Sequence, residues 1–167
     1  MTMILAKKSA LELLDFSIIE SQYKFVPPTD ENSNVDIEDT FQKYDVYIDY
    51  AFRSQNEKRV GLQIRVLVNP EEDDDDNTLV GYRLLIEGAA IFKLKEEGRS
   101  DEELRNLINF SSVNILVSTI RGYIANLTAY APFGRYMLPT IDVPSLINEK
   151  AKHWEEHRAR QGTADMQ

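Results

Sequence analysis

Apolar residues recur at every second position through roughly the first 95 residues of this chain, and at every third or fourth position after about residue 100. Period two places alternate side chains on opposite faces of a β-strand, whereas the longer spacing gathers apolar side chains on one face of a helix. Strands followed by helices are typical of a sheet that is covered by helices on one side. The order of the two patterns therefore predicts an α+β fold.

Three stretches, residues 41–52, 60–68 and 79–94, alternate cleanly enough to predict half-buried strands. In the first of them the apolar face comprises Tyr44, Val46, Ile48, Tyr50 and Phe52. A fourth stretch, LLDFSIIESQYKFVPP (13–28), changes its apolar parity part-way, which predicts a β-bulge near Ile19. Gly88 interrupts the last stretch, and a glycine inside a strand often marks a bulge or a bend.

The connections between these strands are polar. Residues 27–40 begin with two prolines and are too long for a tight hairpin, so they predict a crossing over the surface. Residues 54–58 suit a hairpin turn, and residues 70–77 (PEEDDDDN) form an acidic, solvated loop. That loop lacks the D-x-D-x-D-G spacing of a calcium site, so no calcium is predicted there.

Helical spacing begins at a capping box, Ser100 followed by Glu103. Residues 109–112 are a weak point that predicts an interruption, and the prolines and glycine of residues 132–139 end the helix. A last helix then starts with Asp142 or Val143 as its cap and Pro144 in its first turn. The apolar stripe of the long helix comprises Leu104, Leu107, Ile108, Val113, Leu116, Val117, Ile120, Tyr123, Ile124, Leu127 and Tyr130.

These patterns predict a four-stranded antiparallel sheet covered on one face by a long helix and a second C-terminal helix. A length of 167 residues suits a single domain over residues 1–167, with a core of about residues 12–155 and a polar tail at 156–167.

Charge and composition exclude several classes of function. The net charge of −9 repels phosphate backbones and anionic lipids, so neither nucleic acid nor membrane is predicted as a partner. The absence of cysteine removes disulfide and thiolate chemistry. The opening MTMILAKKSALELL places its apolar run before its lysines, the reverse of a secretory signal, so a cytoplasmic location is expected.

Both histidines of the chain lie in HWEEH (153–157), which fits the zinc pattern H-x-x-E-H. A catalytic zinc also needs a third protein ligand and a walled cavity, and nothing in the sequence singles out that ligand. The apolar positions of this helix lie on a different side from His153 and His157, which predicts a solvated helix end. Whether the pair ever binds a metal stays open. No catalytic residue, metal or other cofactor is predicted, and the chain is interpreted as a binding protein rather than an enzyme.

Three stretches in order resemble the SecB family of tetrameric export chaperones. LLIEGAAIFKL (84–94) is similar to the family's fourth strand, NILVSTIRGYIANLT (114–128) to its long helix, and PFGRYMLPTIDVPSLI (132–147) to the loop that connects its helices. The chain departs from the family at residues 117–119, where Phe-Pro-Tyr is usual. The resemblance implies an ATP-independent holdase that keeps non-native polypeptides soluble and assembles into a homo-oligomer, a dimer or tetramer.

The resemblance also implies a client-binding groove whose floor is the sheet and whose walls are the polar crossing and the helix-connecting loop. Client identity stays open between exported proteins and a single antitoxin, and the alternative is a SecB-fold adaptor without chaperone activity. Family members hold the SecA motor through acidic residues on the outer sheet face. The corresponding positions here are Gln22, Val26 and Leu85, none of which is acidic, although Glu20 or Glu87 could substitute. The implied client-binding residues are Phe41, Tyr44, Tyr130, Phe133, Tyr136, Met137, Leu138, Leu146 and Ile147.

Overall fold

The computed structural model describes residues 2–29, 35–56, 59–71, 79–95 and 98–164, of which residues 54–56 and 156–164 are described by their backbone only. The strands are β1 (Leu11–Val26), β2 (Val46–Asn56), β3 (Arg59–Val68) and β4 (Gly81–Leu94). The helices are α1 (Ile37–Gln42), α2 (Asp101–Asn106), α3 (Val113–Leu127) and α4 (Val143–Ala164). A π-helical segment, Leu107–Ser112, joins α2 to α3.

The four strands form one antiparallel sheet in the order β1-β4-β3-β2, so β1 and β2 are its two edges. The predicted fold class, an α+β chain with a four-stranded antiparallel sheet and covering helices, is confirmed. Among the described residues, none of the helices combines the length and apolar character that a bilayer crossing requires.

The predicted bulge in the first strand is present. The pairing of β1 with β4 slips between Ile18 and Glu20, and a second slip lies between Leu13 and Asp15. Because an extra residue reverses the facing of everything after it, Phe16 and Phe25 both point to the helical face despite their odd separation. The bulge therefore explains the change of apolar parity in the sequence.

Gly88 lies beside a bulge, but the extra residue is on the neighbouring strand: the slip between Ile18 and Glu20 of β1 falls at the Ile18–Gly88 pair, whereas β3 pairs with β4 without a slip. A glycine suits this position because a side chain has little room there. A Cβ built at Gly88 would lie 3.0 Å from Cδ1 of Ile120 on α3 and 3.1 Å from the ring of Phe16. The missing side chain allows the long helix and an aromatic ring to approach the centre of the sheet.

The long helix begins as the capping box predicted: Ser100 accepts a hydrogen bond from the N–H of Glu103, whose side chain accepts one from the N–H of Ser100. The interruption predicted at residues 109–112 falls in a π-helical turn. This turn changes the backbone hydrogen-bond pattern locally without ending the helix. The stripe of α3 then packs on the sheet. Fully buried side chains of this core include Leu62, Ile64, Val66, Ile86, Phe92, Leu116, Ile120 and Ile124.

Two predicted details are wrong. Residues 37–42 form helix α1, so the strand expected from residue 41 starts only at Val46. Asp36 caps α1 through its side chain, and this local hydrogen bond outweighs the alternation that continues through Phe41. Tyr130 lies beyond the end of α3 and is fully exposed, so it is not part of the buried stripe. Residues 54–56 of the predicted turn belong to β2. The last two residues of that turn, 57–58, most of the acidic loop at 70–77 and the side chains of the polar tail lie outside the described residues.

Candidate functional site

A groove of about 830 Å³ lies between edge strand β2 and helix α4. This volume is in the range of pockets that hold ligands, roughly 300–1,000 Å³. Residues 49–52 form the strand side, and Asn109 of the π-helical segment lies at the groove. The helix side consists of Ile147, Lys150, Ala151, Trp154 and Glu155.

The apolar part of the groove is aromatic. Tyr50 is 9% exposed and packs edge-on against Phe52, with ring centroids 5.8 Å apart. Phe52 is 39% exposed and Trp154 is 60% exposed, so both rings have surface free for a ligand. Aromatic rings bring a large contact area with few rotatable bonds to immobilise on binding.

The free edge of β2 borders this groove. The carbonyl of Asp45, just before the strand, accepts the N–H of Asn69 at 2.9 Å on the β3 side. In an antiparallel pair the N–H and C=O of one residue point to the same side, and successive residues alternate. Ile48, Tyr50 and Phe52 therefore direct their backbone groups away from β3. Consistent with this, the N–H of Tyr50 donates to the carboxylate of Asp49 at 2.9 Å, not to a strand.

Lys150 connects the two sides of the groove. Its ammonium group forms an ion pair with Asp49 and lies 5.9 Å from the ring centroid of Tyr50. Burial, and then the charge of Asp49, raises the pKa of the Tyr50 phenol, which therefore stays neutral. Because the groove holds Asp49, Glu155 and one lysine, its formal charge is slightly negative.

An aromatic cluster occupies the place where the resemblance implied a groove, between the polar crossing and the helix-connecting loop. Tyr82 lies at its centre: its hydroxyl donates to the carbonyl of Gly134 at 2.8 Å and accepts the N–H of Phe133 at 2.7 Å. Phe41 packs within 5.5 Å of three rings, those of Tyr44, Tyr82 and Tyr136. These contacts hold α1 and the helix-connecting loop together over the sheet and leave this position closed.

Three of the nine implied client-binding residues belong to this core. Tyr44, Tyr136 and Leu138 are 7%, 1% and 0% exposed, so they offer no side-chain surface to a client in this structure. The rings of Tyr44 and Tyr136 pack against Phe41, and the role of these three residues in client binding stays a prediction. Phe41 and Phe133 are half-buried at the margin of the same cluster.

The other four implied residues are more accessible. Tyr130 is fully exposed and Met137 is 52% exposed. Leu146 and Ile147 are half-buried on α4, and of the nine implied residues Ile147 is the one that lines the groove. Sequence reasoning missed Phe52 and Trp154 as site residues. Trp154 shares the apolar side of its helix with Ile147 and Ala151, and that spacing was the available signal.

The outer face of the sheet carries a cross-strand row of charges. Glu87 of β4 lies between Glu20 of β1 and Arg65 of β3. Gln22 of β1 lies opposite Leu85 of β4. Glu87 is 7% exposed and accepts hydrogen bonds from the Arg65 guanidinium at 2.7 and 2.9 Å and from the Gln63 amide. The hydrogen bond from Arg65, then that from Gln63, lowers the pKa of the Glu87 carboxyl. Of the two acids that could substitute at the implied SecA positions, Glu87 is thus paired within the chain, and Glu20 accepts a hydrogen bond from the amide of Gln22 at 2.6 Å.

The HWEEH stretch forms part of α4. His153 is exposed, and the side chain of His157 lies outside the described residues. No group of three or more His, Cys, Asp or Glu side chains that could hold a metal ion is found in the described part of the chain.

This architecture is similar to that of a known protein. No family model matches the chain, and no curated protein matches it either. A solved SecB-like chaperone of Mycobacterium tuberculosis, in complex with a ChAD peptide from the HigA1 antitoxin, superimposes with a TM-score of 0.55 and covers 80% of this chain and 91% of its own. The fold is SecB-like. At 16% sequence identity the likeness concerns the fold.

A second solved chain that the comparison matched is a protein of unknown function from Streptococcus agalactiae. It is 13% identical, covers 80% of this chain and all of its own, and has a TM-score of 0.38. The SecB-like description of the fold rests on the mycobacterial chaperone.

Proposed function

We propose that this chain is an ATP-independent chaperone, a holdase, that binds non-native polypeptides in the groove between β2 and α4. The observation that carries the proposal is an open aromatic groove bordered by a free strand edge. The bound antitoxin peptide of the mycobacterial SecB-like chaperone supports it, since a protein of the same fold takes a polypeptide ligand. No bond is made or broken in this function, and no enzyme activity is proposed.

The binding mode follows from the two kinds of group that border the groove. A non-native segment has unpaired backbone groups and exposed apolar side chains. The outward N–H and C=O groups of β2 pair with its backbone as one more strand, which gives affinity without sequence preference. Alternate side chains of the segment then contact Phe52, Ile147 and Trp154. A surface of net charge −9 attracts basic clients over a longer range.

The proposal extends to partners and location. The paired state of Glu87 argues against SecA as a partner and favours clients reached without it, such as an antitoxin. The chain works in the cytoplasm as a homo-oligomer. Tyr130 and Met137 are proposed as accessory contacts for clients longer than the groove, because both expose apolar surface on the helix-connecting segment.

The closed aromatic cluster favours a second candidate, a SecB-fold adaptor that binds one folded partner and has no holdase activity. The observation that supports this candidate is the burial of Tyr44, Tyr136 and Leu138, three of the residues that the resemblance implied for client binding. The two candidates differ in whether an unfolded chain is bound at all.

Suppression of aggregation tests the proposal. A chemically unfolded client is diluted into buffer with the protein at equimolar ratio, and light scattering is followed. Ala151→Arg fills the groove without removing a core side chain, and Asn148→Arg on the same helix makes the same charge change away from the groove lining. The wild type and Asn148→Arg are expected to suppress scattering, and Ala151→Arg to suppress it much less. Wild-type protein that leaves scattering unchanged would support the adaptor.

A further inference from the structure

The segment that precedes β1, residues 2–9, exposes three consecutive large apolar side chains. Met3, Ile4 and Leu5 are 97%, 89% and 94% exposed. They are followed by Lys7 and Lys8, and the segment has no helical or strand pairing of its own. We call this segment the N-terminal arm.

Three consecutive large apolar side chains in water are unfavourable. Burial of each would contribute roughly 1.5–3 kcal/mol. The backbone of the arm is also unpaired by strand or helix, and the arm carries two positive charges in a chain of net charge −9. These are the properties of the ligand that the groove between β2 and α4 is proposed to bind.

The arm cannot fill the groove of its own chain in full. The carbonyl of Ala10 accepts the N–H of Lys95, which fixes the base of the arm at the β1 edge, whereas the groove lies at the β2 edge. Three strand spacings and about five residues along the strands separate Ala10 from Phe52, about 22 Å in a straight line. Five extended residues reach at most about 18 Å, so Leu5 falls short even of a path through the core. A second copy has no such restriction.

We propose that the N-terminal arm of one copy docks as an extended strand in the β2–α4 groove of a second copy and competes there with clients. This inference rests on the proposed function of the groove and names a ligand for it. The backbone of the arm pairs with the outward groups of β2. Met3 and Leu5 point to one side and contact Phe52 and Trp154, and the lysines lie near Asp49 and Glu155 at the rim. The arm keeps the groove covered when client is scarce.

Trp154 makes this testable, because it is the single tryptophan of the chain and it lines the groove. A synthetic peptide with the sequence of residues 2–9, TMILAKKS, is titrated into the arm variant Met3→Ser/Ile4→Ser/Leu5→Ser, whose own arm is disabled. A saturable blue shift of tryptophan emission is expected, and a peptide carrying the same three serines should give none. The variant retains Ser9, whose hydroxyl accepts the N–H of Leu11, so β1 keeps its start.

Competition gives the second readout. A groove that is nine-tenths occupied by arms raises the apparent Kd of a client about tenfold. The wild type should therefore bind a labelled unfolded client more weakly as its own concentration rises, and the arm variant should bind it with one affinity at every concentration. A client that shifts Trp154 emission while TMILAKKS does not would overturn the arm inference and leave the groove function standing. A groove that responds to neither ligand would overturn both.

Discussion

The rings of Tyr44 and Tyr136 pack with their centroids 5.5 Å apart, yet only one of the two hydroxyl groups is hydrogen-bonded within the described chain. Tyr44 donates to the carbonyl of Val80 and accepts the N–H of Tyr82, both at 2.8 Å. The hydroxyl of Tyr136 is buried and has no hydrogen-bond partner among the described residues. Two neighbouring phenols in one cluster therefore contribute to stability in opposite directions.

Tyr44→Phe should destabilise the fold by about 1–3 kcal/mol, since it leaves the buried N–H of Tyr82 and the partly buried carbonyl of Val80 unpaired. Urea denaturation at pH 7 measures the change. Burial raises the pKa of Tyr44 to about 12, although the hydrogen bond from Tyr82 opposes this shift. The hydroxyl contribution is thus complete below pH 10, the ordinary pKa, and is lost as pH rises through 12. A variant as stable as the wild type at pH 7 would contradict the assigned hydrogen bonds.

Tyr136→Phe should leave stability unchanged or raise it by up to about 1 kcal/mol. The substitution removes a buried hydroxyl that makes no hydrogen bond to the described part of the chain, and it keeps the ring that packs on Phe41 and Tyr44. The same urea experiment, run beside Tyr44→Phe, measures the difference between the two phenols. A loss as large as that of Tyr44→Phe would show that the hydroxyl is satisfied after all.

Gly88→Val should destabilise the fold by roughly 1–3 kcal/mol, because the added methyl groups would collide with Ile120 and Phe16 where a Cβ alone already lies 3.0 and 3.1 Å from them. Ala89→Val is the matched control. Its side chain faces the opposite side of the sheet and is half-exposed, and valine is favoured in strands. Thermal unfolding of both variants followed by circular dichroism checks the prediction, and equal melting temperatures would contradict it.

Glu87→Gln should change how stability depends on pH. Because Arg65 and Gln63 lower the pKa of Glu87 in the folded chain, the carboxylate stabilises the fold above the ordinary value of 4.5. That contribution is lost as pH falls from there through the lowered folded-state pKa. The wild type should therefore exceed the variant in unfolding free energy at pH 7, and the two should converge in acid. Parallel curves from denaturant titrations between pH 7 and pH 3 would exclude this role.

Phe52→Ser should weaken binding of an unfolded client about 5- to 30-fold, the effect of removing an aromatic contact worth about 1–2 kcal/mol. Leu14→Ser is the matched control: Leu14 is 42% exposed, against 39% for Phe52, and lies on the opposite edge strand. Fluorescence anisotropy of a labelled client measures both affinities. Equal losses in the two variants would move the client site away from the β2 edge.

The strands and helices were predictable wherever a single residue type, or a single spacing of apolar residues, is enough to specify the element. Alternation located β3 nearly to the residue, the change of parity located the bulge at Ile19, and Ser100 with Glu103 located the start of the long helix. Helix α1 was not predicted, because its signal is a single capping aspartate within a stretch that alternates. The glycine at 88 was interpreted as a local feature, although its cause is Ile120, a residue 32 positions away.

The sequence by itself determined which face of each strand and helix is apolar, because facing depends only on spacing along the chain. It also determined that no disulfide chemistry is available and that the surface is acidic. Tertiary structure alone decided which apolar side chains remain accessible. Tyr136 and Met137 are neighbours in sequence, yet one is buried under Phe41 and the other is half in solvent. Accessibility depends on what packs against a side chain from distant parts of the chain, and that contact is formed only when α1, the helix-connecting loop and the sheet come together.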